Sequence, residues 1–303
     1  MPELPDIIVY LEALERFAVG RRLERIRLAS PFVLRTADPL LGDAFGKTLR
    51  AVRRLGKRIV FVLDGDLFVV VHLMIAGRFH WKVAAAKIPA KVGLAAFDFA
   101  HGTLMLTEAS SKKRAAMHLV VGKEALAAFA PGGIEPLEMS AEALREVLGR
   151  ENHTLKRALT DPGLFSGIGN AYSDEILHRA RLSPLKLTRT LDGTELARLY
   201  QATRATLAEW IERLRDETGQ GFPERVTAFR EGMTVHGRYG QPCPVCGTPV
   251  QRIVHAENEA NYCPTCQVGG KLLADRALSR LLGERRPKTV KDLKAKRRAQ
   301  GGV

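Results

Sequence analysis

Pro131-Gly132-Gly133 divides the sequence into two unlike parts. Before these three residues, short apolar runs alternate with turn residues: Leu23–Leu28, Phe32–Leu34, Leu49–Val52, Arg58–Leu63, Leu67–His72, Leu94–Phe99, Thr103–Thr107 and Met117–Val121. Asp64-Gly65 and His101-Gly102 sit where hairpin turns belong, so these runs read as strands. Leu4, Ile7, Leu11 and Leu14 recur at helical spacing ahead of them, and Pro5 suits a first helical turn, which predicts a helix over residues 4–18. After the divide the period becomes helical, over Ala141–Leu148, His153–Thr160, Asn170–Ala180 and a long Thr194–Glu217. Ser166-Gly167-Ile168-Gly169-Asn170 is a tight turn between two of these. The pattern predicts an α+β chain: a β-sandwich with a leading helix over residues 1–130, then a helical domain over 131–230.

All four cysteines fall in one stretch, as Cys243-x2-Cys246 and Cys263-x2-Cys266 with sixteen residues between the pairs. A disulfide framework spreads its cysteines, whereas two such turns aim four thiolates at one point. A redox pair is the rival reading. Pro249–Val254 and Asn258–Tyr262 suit the strands of a small hairpin, so residues 235–268 are predicted to hold one zinc ion. Four thiolates leave no open coordination position, which makes that metal structural. Residues 269–303 form a basic extension, with a helix expected near Lys271–Leu282. From Glu284 to Arg298 it holds eight basic and two acidic residues, a run that is either solvated or adds phosphate contacts.

The chain has 303 residues, with 47 Lys and Arg against 33 Asp and Glu, a net charge of +14. Such a balance favours a polyanionic partner, because every neutralised phosphate releases a condensed counterion. No apolar run approaches the roughly 20 residues that span a bilayer, and Met1–Ile7 has no basic-then-apolar signal pattern, so a cytoplasmic protein is expected. Met1-Pro2-Glu3-Leu4-Pro5-Asp6 reads in two ways. It is a helix start, or it is chemistry: removal of Met1 exposes Pro2 as a secondary amine, which attacks an aldehyde-like carbon to give an iminium ion, with Glu3 placed to exchange a proton.

Five motifs in order resemble the formamidopyrimidine-DNA glycosylase and endonuclease VIII family. They are Met1-Pro2-Glu3-Leu4-Pro5; Gly56-Lys57; His72-Leu73 with Gly77; Gly167 to Glu175 (Gly-Ile-Gly-Asn-Ala-Tyr-Ser-Asp-Glu); and the four-cysteine finger. The resemblance implies an N-terminal β-sandwich, a helix–two-turn–helix and a zinc finger. It implies a monomer in the bacterial cytoplasm, at the nucleoid, that acts on damaged or abasic DNA as glycosylase and lyase. It makes Pro2 the Schiff-base nucleophile at the deoxyribose C1′ and Glu3 the general acid. It makes Lys57 a phosphate contact linked to β-elimination, and Glu175 an acid close to the amine. Asn170 becomes a phosphate ligand, which suits the exposed N–H groups of a helix start; the plainer reading is that it is only an N-cap, and both can hold at once. His72 matches a position near the DNA, or is structural.

The sequence departs from the family in three places. The family commonly has Met at the fourth place of the His-Leu motif, to fill the gap left by a flipped base. Here Ile75 stands there, with Met74 one step earlier. The Arg-Arg-Phe-Gly stretch that wedges into the duplex becomes Ser110-Ser111-Lys112-Lys113-Arg114-Ala115-Ala116. Lys112, Lys113 and Arg114 keep the charge, but Ala115 replaces the aromatic, whose stacking is worth roughly 1–3 kcal/mol per base. The finger's phosphate-clamping Arg becomes Asn258 after His255-Ala256-Glu257, with Arg252 on the other strand as a substitute. These departures predict against a preference for 8-oxoguanine opposite cytosine and against efficient δ-elimination. They also leave two rivals: a non-catalytic binder of damaged or abasic DNA, and a zinc ribbon that binds RNA or protein.

Overall fold

The computed structural model describes residues 1–255, 258–273, 287–293 and 295. They form two compact units: Met1–Gly133 with Ala208–Ala228, and Ile134–Leu207 with the chain from Phe229 onward.

The first unit opens with α1 (Leu4–Phe17), whose start is fixed by the Asp6 carboxylate accepting the Glu3 N–H at 2.9 Å. Eight strands follow: β1 (Leu23–Leu28), β2 (Leu49–Leu55), β3 (Arg58–Leu63), β4 (Leu67–His72), β5 (Gly77–Lys82), β6 (Gly93–Phe99), β7 (Gly102–Glu108) and β8 (Ala116–Val121). They make two four-stranded antiparallel sheets, ordered β1-β6-β7-β5 and β2-β3-β4-β8. The apolar faces meet as a sandwich. Phe61 of β3 stacks on Phe97 of β6 at 5.3 Å and meets Phe79 of β5 edge-on at 5.9 Å. Ile7, Tyr10 and Leu14 of α1 join the same core. Strand β4 is apolar from Leu67 to Val71 because both its faces are covered there. Val69 and Val71 face the sandwich, while Phe68 and Val70 pack with Val60, Val120, Leu126 and Phe129 on the other side. Leu126 belongs to α2 (Lys123–Ala127).

Two local expectations differ. Phe32–Leu34 is not a strand: Pro31–Val33 form one 3-10 turn and Phe32 is exposed, because a proline with no donor starts a turn more readily than a ladder. Strand β5 was not anticipated from Gly-Arg-Phe-His-Trp-Lys, although Phe79 and Trp81 alternate inward as a half-buried strand requires.

The second unit holds α3 (Ala141–Arg150), α4 (Leu155–Thr160), α5 (Asn170–Arg179), the first part of α6 (Gly193–Thr218), the hairpin β9 (Gln251–His255) and β10 (Asn258–Tyr262), and α7 (Pro264–Val268). The fold is thus α+β, with sheets, helical domain and finger in the expected order. The first unit runs to Gly133, and the remainder of α6 and the segment after it also belong to it. Arg215 pairs with Glu12 at 2.5 Å, Phe222 packs among Tyr10, Phe17 and Trp81, and Val226 enters the sandwich core. Apolar contact overrides chain order there. In the extension, Lys271 bridges Thr289, and Leu272 donates its N–H to the Lys288 carbonyl at 2.8 Å, so residues 287–290 fold back along 270–272. Lys271 is therefore extended rather than helical, and the rest of the helix expected to Leu282 lies largely outside the described residues. No helix among the described residues is long and apolar enough to cross a membrane.

Candidate active site and nucleic-acid interface

In the first unit the α-amino end is enclosed. Pro2 and Glu3 are buried at the start of α1. The amine, carried here by Met1, is held below its ordinary value of 8.0, first by burial. Glu3 and Asp6 pull it back up, while Arg78 and Lys57 push it further down. Loss of solvation is therefore the leading cause.

Lys57 is not on a strand. It occupies the two-residue turn joining β2 to β3, after Gly56 at φ +59°, and is half-buried. Arg78, one residue past Gly77, was missed because β5 was missed. It donates to the carbonyls of Ile75 and Gly77 at 3.2 and 2.6 Å, and to that of Val226. His72, at the end of β4, is pushed down to about 4 by burial, with Arg58, Lys57 and His118 adding repulsion, so its ring is neutral at pH 7.

Met74 and Ile75 lie on the turn between β4 and β5 rather than on a strand. Ile75 is 57% exposed at the tip. Met74 takes φ +52°, a left-handed conformation that costs an L-residue about 1–2 kcal/mol. Gly77 is required, because a Cβ there would stand 2.1 Å from the Leu73 carbonyl oxygen. The return from β7 to β8 is tied by the buried Glu108 carboxylate, which accepts the N–H groups of Arg114 and Ala115 at 2.8 and 3.0 Å. Lys112, Lys113 and Arg114 are exposed, Lys113 donating to the Glu108 carbonyl, whereas Ala115 packs into the sandwich core. The residue expected at the wedge position is thus turned inward.

In the second unit, Gly169 is the N-cap of α5 and Asn170 its first residue, which settles the cap alternative against Asn170. Gly167 at φ +87° turns the chain into that start. The Nζ of Lys156 donates to the Asn170 carbonyl at 2.7 Å, Ser173 Oγ at 2.8 Å and Asp174 Oδ1 at 2.5 Å. The other Asp174 oxygen meets His236 Nδ1 at 2.8 Å and Asn261 Nδ2 at 3.3 Å. Glu175 is buried and accepts the N–H groups of Thr234, Val235 and His236 at 2.8–2.9 Å. Its carboxylate therefore holds the segment leading into the finger. Lys156, His236 and Asn261 gave no sign in the sequence, because their partners are distant along the chain.

The four cysteines come together. Cys243 and Cys266 sulfurs are 4.0 Å apart, Cys246 and Cys263 sulfurs 3.4 Å. A zinc tetrahedron with Zn–S of about 2.3 Å needs sulfurs about 3.8 Å apart, so the donor set fits the ion. His178 of α5 lies beside them, Nε2 to Cys243 Sγ 3.4 Å. On the hairpin, Arg252 sits over the Tyr239 ring at 4.4 Å and bonds Glu259 at 3.1 Å, so it is engaged within the finger. Asn258 pairs with His255 in the ladder, and its side chain lies outside the described residues, as do Ala256 and Glu257.

Three family models match in order. The formamidopyrimidine-DNA glycosylase N-terminal domain matches residues 1–119, the H2TH domain of the same family 133–220, and the zinc finger found in FPG and IleRS 240–268. That last match, with the sulfur spacing, assigns one structural zinc to the finger. Among curated relatives, a formamidopyrimidine-DNA glycosylase of Thermus thermophilus is 34% identical over 89% of this chain and all of its own length. An uncharacterized formamidopyrimidine-DNA glycosylase-like protein of Mycobacterium tuberculosis is 43% identical over 50% of this chain and 93% of its own. The Lactococcus lactis Fpg bound to abasic-site DNA superposes with a TM-score of 0.77 at 25% identity, over 88% of this chain and 99% of that one. MutM bound to DNA containing carbocyclic 8-oxo-G gives the same TM-score and identity, over 88% of this chain and all of that one. With sandwich, helical domain and finger each matched in order, and a relative aligned over its full length, the chain belongs to the formamidopyrimidine-DNA glycosylase family.

Proposed function

We propose that this DNA glycosylase family member is bifunctional, removing damaged bases and cutting the abasic site through a Schiff base on Pro2. The observation that carries this reading is the buried α-amino end, its pKa lowered and its neighbours Glu3, Lys57 and Arg78. Removal of Met1 leaves a secondary amine. Its lone pair attacks C1′ of a nucleotide drawn out of the stack, a proton from Glu3 opens the sugar at O4′, and the base departs as the C1′=N⁺ iminium forms, taking up the proton the amine nitrogen gives up. The resulting iminium acidifies the C2′ proton. Loss of that proton expels the 3′-phosphate and breaks the C3′–O bond, and water then hydrolyses the iminium and returns the amine. Lys57, His72, Met74, Ile75 and the Lys112–Arg114 loop are the DNA contacts of the first unit, and Asn170, Arg252 and Asn258 those of the second. Cys243, Cys246, Cys263 and Cys266 hold the zinc, which supplies a structural pin. Glu175 enters this reading as a positioning group, because both its oxygens are committed to the 234–236 backbone.

Borohydride reduction in the presence of DNA bearing an aldehydic abasic site tests it. A covalent protein–DNA adduct is expected, strongly reduced in Pro2→Gly and absent when an N-terminal extension is left in place. An adduct formed equally well by the extended protein would overturn the assignment of Pro2. A second reading, a non-catalytic binder of abasic DNA, is favoured by the inward-turned Ala115. It predicts tight binding with no adduct from the native chain.

A further inference from the structure

Five donor atoms, not four, converge on the finger. His178, Cys243, Cys263 and Cys266 each place one within 4.8 Å of the others, and Cys246 Sγ lies 3.4 Å from Cys263 Sγ. Four thiolates complete a zinc tetrahedron, so the imidazole is surplus to coordination. Zinc with four thiolates carries a net charge of −2, and its sulfurs retain lone pairs that accept hydrogen bonds. His178 is 6% exposed, in the last turn of α5, with Nε2 3.4 Å from Cys243 Sγ.

We propose that His178 is a positioning residue that donates its Nε2–H to the zinc-bound Cys243 thiolate and so clamps the metal centre to α5. The helix that starts at the Gly167–Gly169 turn then grips the finger at three points. Glu175 holds the 234–236 backbone, Asp174 holds His236 and Asn261, and His178 holds a ligand of the metal itself. A donor aimed at a metal-bound sulfur fixes its direction and draws off electron density, which slows attack on it and release of the ion.

The test uses the full chain loaded with metal. In His178→Phe, zinc transfer to a chromophoric chelator is expected to be about tenfold faster. The thiolate-to-metal charge-transfer band of the cobalt-substituted protein should shift with it. His178→Gln, which presents an amide N–H at similar reach, should restore both. Unchanged transfer and an unchanged band in His178→Phe would overturn the proposal. Should that variant fail to fold, the unaltered protein loaded with cadmium-113 decides. A scalar coupling between the metal and the imidazole N–H proton is expected; its absence, or a bare Nε2 bonded to the metal, refutes the donor role. The inference rests on four-thiolate ligation: protein purified without zinc would refute that ligation, whereas zinc-loaded protein without the coupling refutes only the role of His178.

Discussion

Burial holds the α-amino group below its ordinary value, and Arg78 and Lys57 reinforce it against Glu3 and Asp6. The same surroundings act on Pro2 once Met1 is gone. Because only the neutral amine is nucleophilic, single-turnover adduct formation should rise with pH and level off at a lower pH than it would for a solvent-exposed proline amine. Arg78→Ala removes one of the depressing charges, so its profile should move to higher pH; a profile that stays in place would separate Arg78 from the amine. His72 makes a stability prediction. Its ring titrates at about 4 in the fold against 6.5 in an open chain. As pH falls below 6.5, the unfolded chain takes a proton that the fold refuses, and stability declines until about pH 4. The full difference is about 3 kcal/mol, read from urea midpoints, and His72→Gln should remove it. The sequence showed Pro2, Glu3 and Lys57 as chemistry-bearing types. It did not show Arg78, whose importance comes from facing an amine 77 positions away along the chain.

At the scale of elements, tight turns fix the proposed DNA contacts and buried ions carry the joints. Gly77→Ala should collapse the β4–β5 turn, because the added methyl meets the Leu73 carbonyl at 2.1 Å, and both stability and adduct formation should fall. Met74→Gly relieves a left-handed methionine and should stabilise the chain by about 1 kcal/mol, measured by thermal unfolding. The α4–α5 pair is joined by Lys156 and Asp174, whose side chains are 14% and 0% exposed. Asp174→Asn strands the Lys156 ammonium and loosens His236 and Asn261, a loss of about 3–5 kcal/mol. Strands and helices with a clear period were readable, as was the Gly167–Gly169 turn. Strand β5 was not, because no turn dipeptide announces its start, and the inward burial of Ala115 follows only from Glu108 pulling that loop back.

For the molecule as a whole, the long helix α6 belongs to both units. A fragment of residues 1–133 lacks Phe222 and Val226. It should therefore be less stable than the same fragment supplied with residues 208–228, by about 2–5 kcal/mol, the cost of an emptied core site, seen by calorimetry. Stripping zinc with a chelator should unfold the finger and weaken DNA binding while the sandwich keeps its own transition, because the finger's core is little more than Val235, Val250, Cys243 and Cys263. Local signals in the sequence determined the α+β class, the sandwich-then-helix order, the finger with its single metal, and the motifs that mark the family. Each of these is written in a period, a turn residue or a short spacing. Tertiary structure alone decided that the amine is buried beside Arg78, that Glu175 holds a backbone segment, that Ala115 points inward, and that His178 reaches the cysteines. Those outcomes depend on which distant residues share a buried space, and neither periodicity nor spacing encodes that.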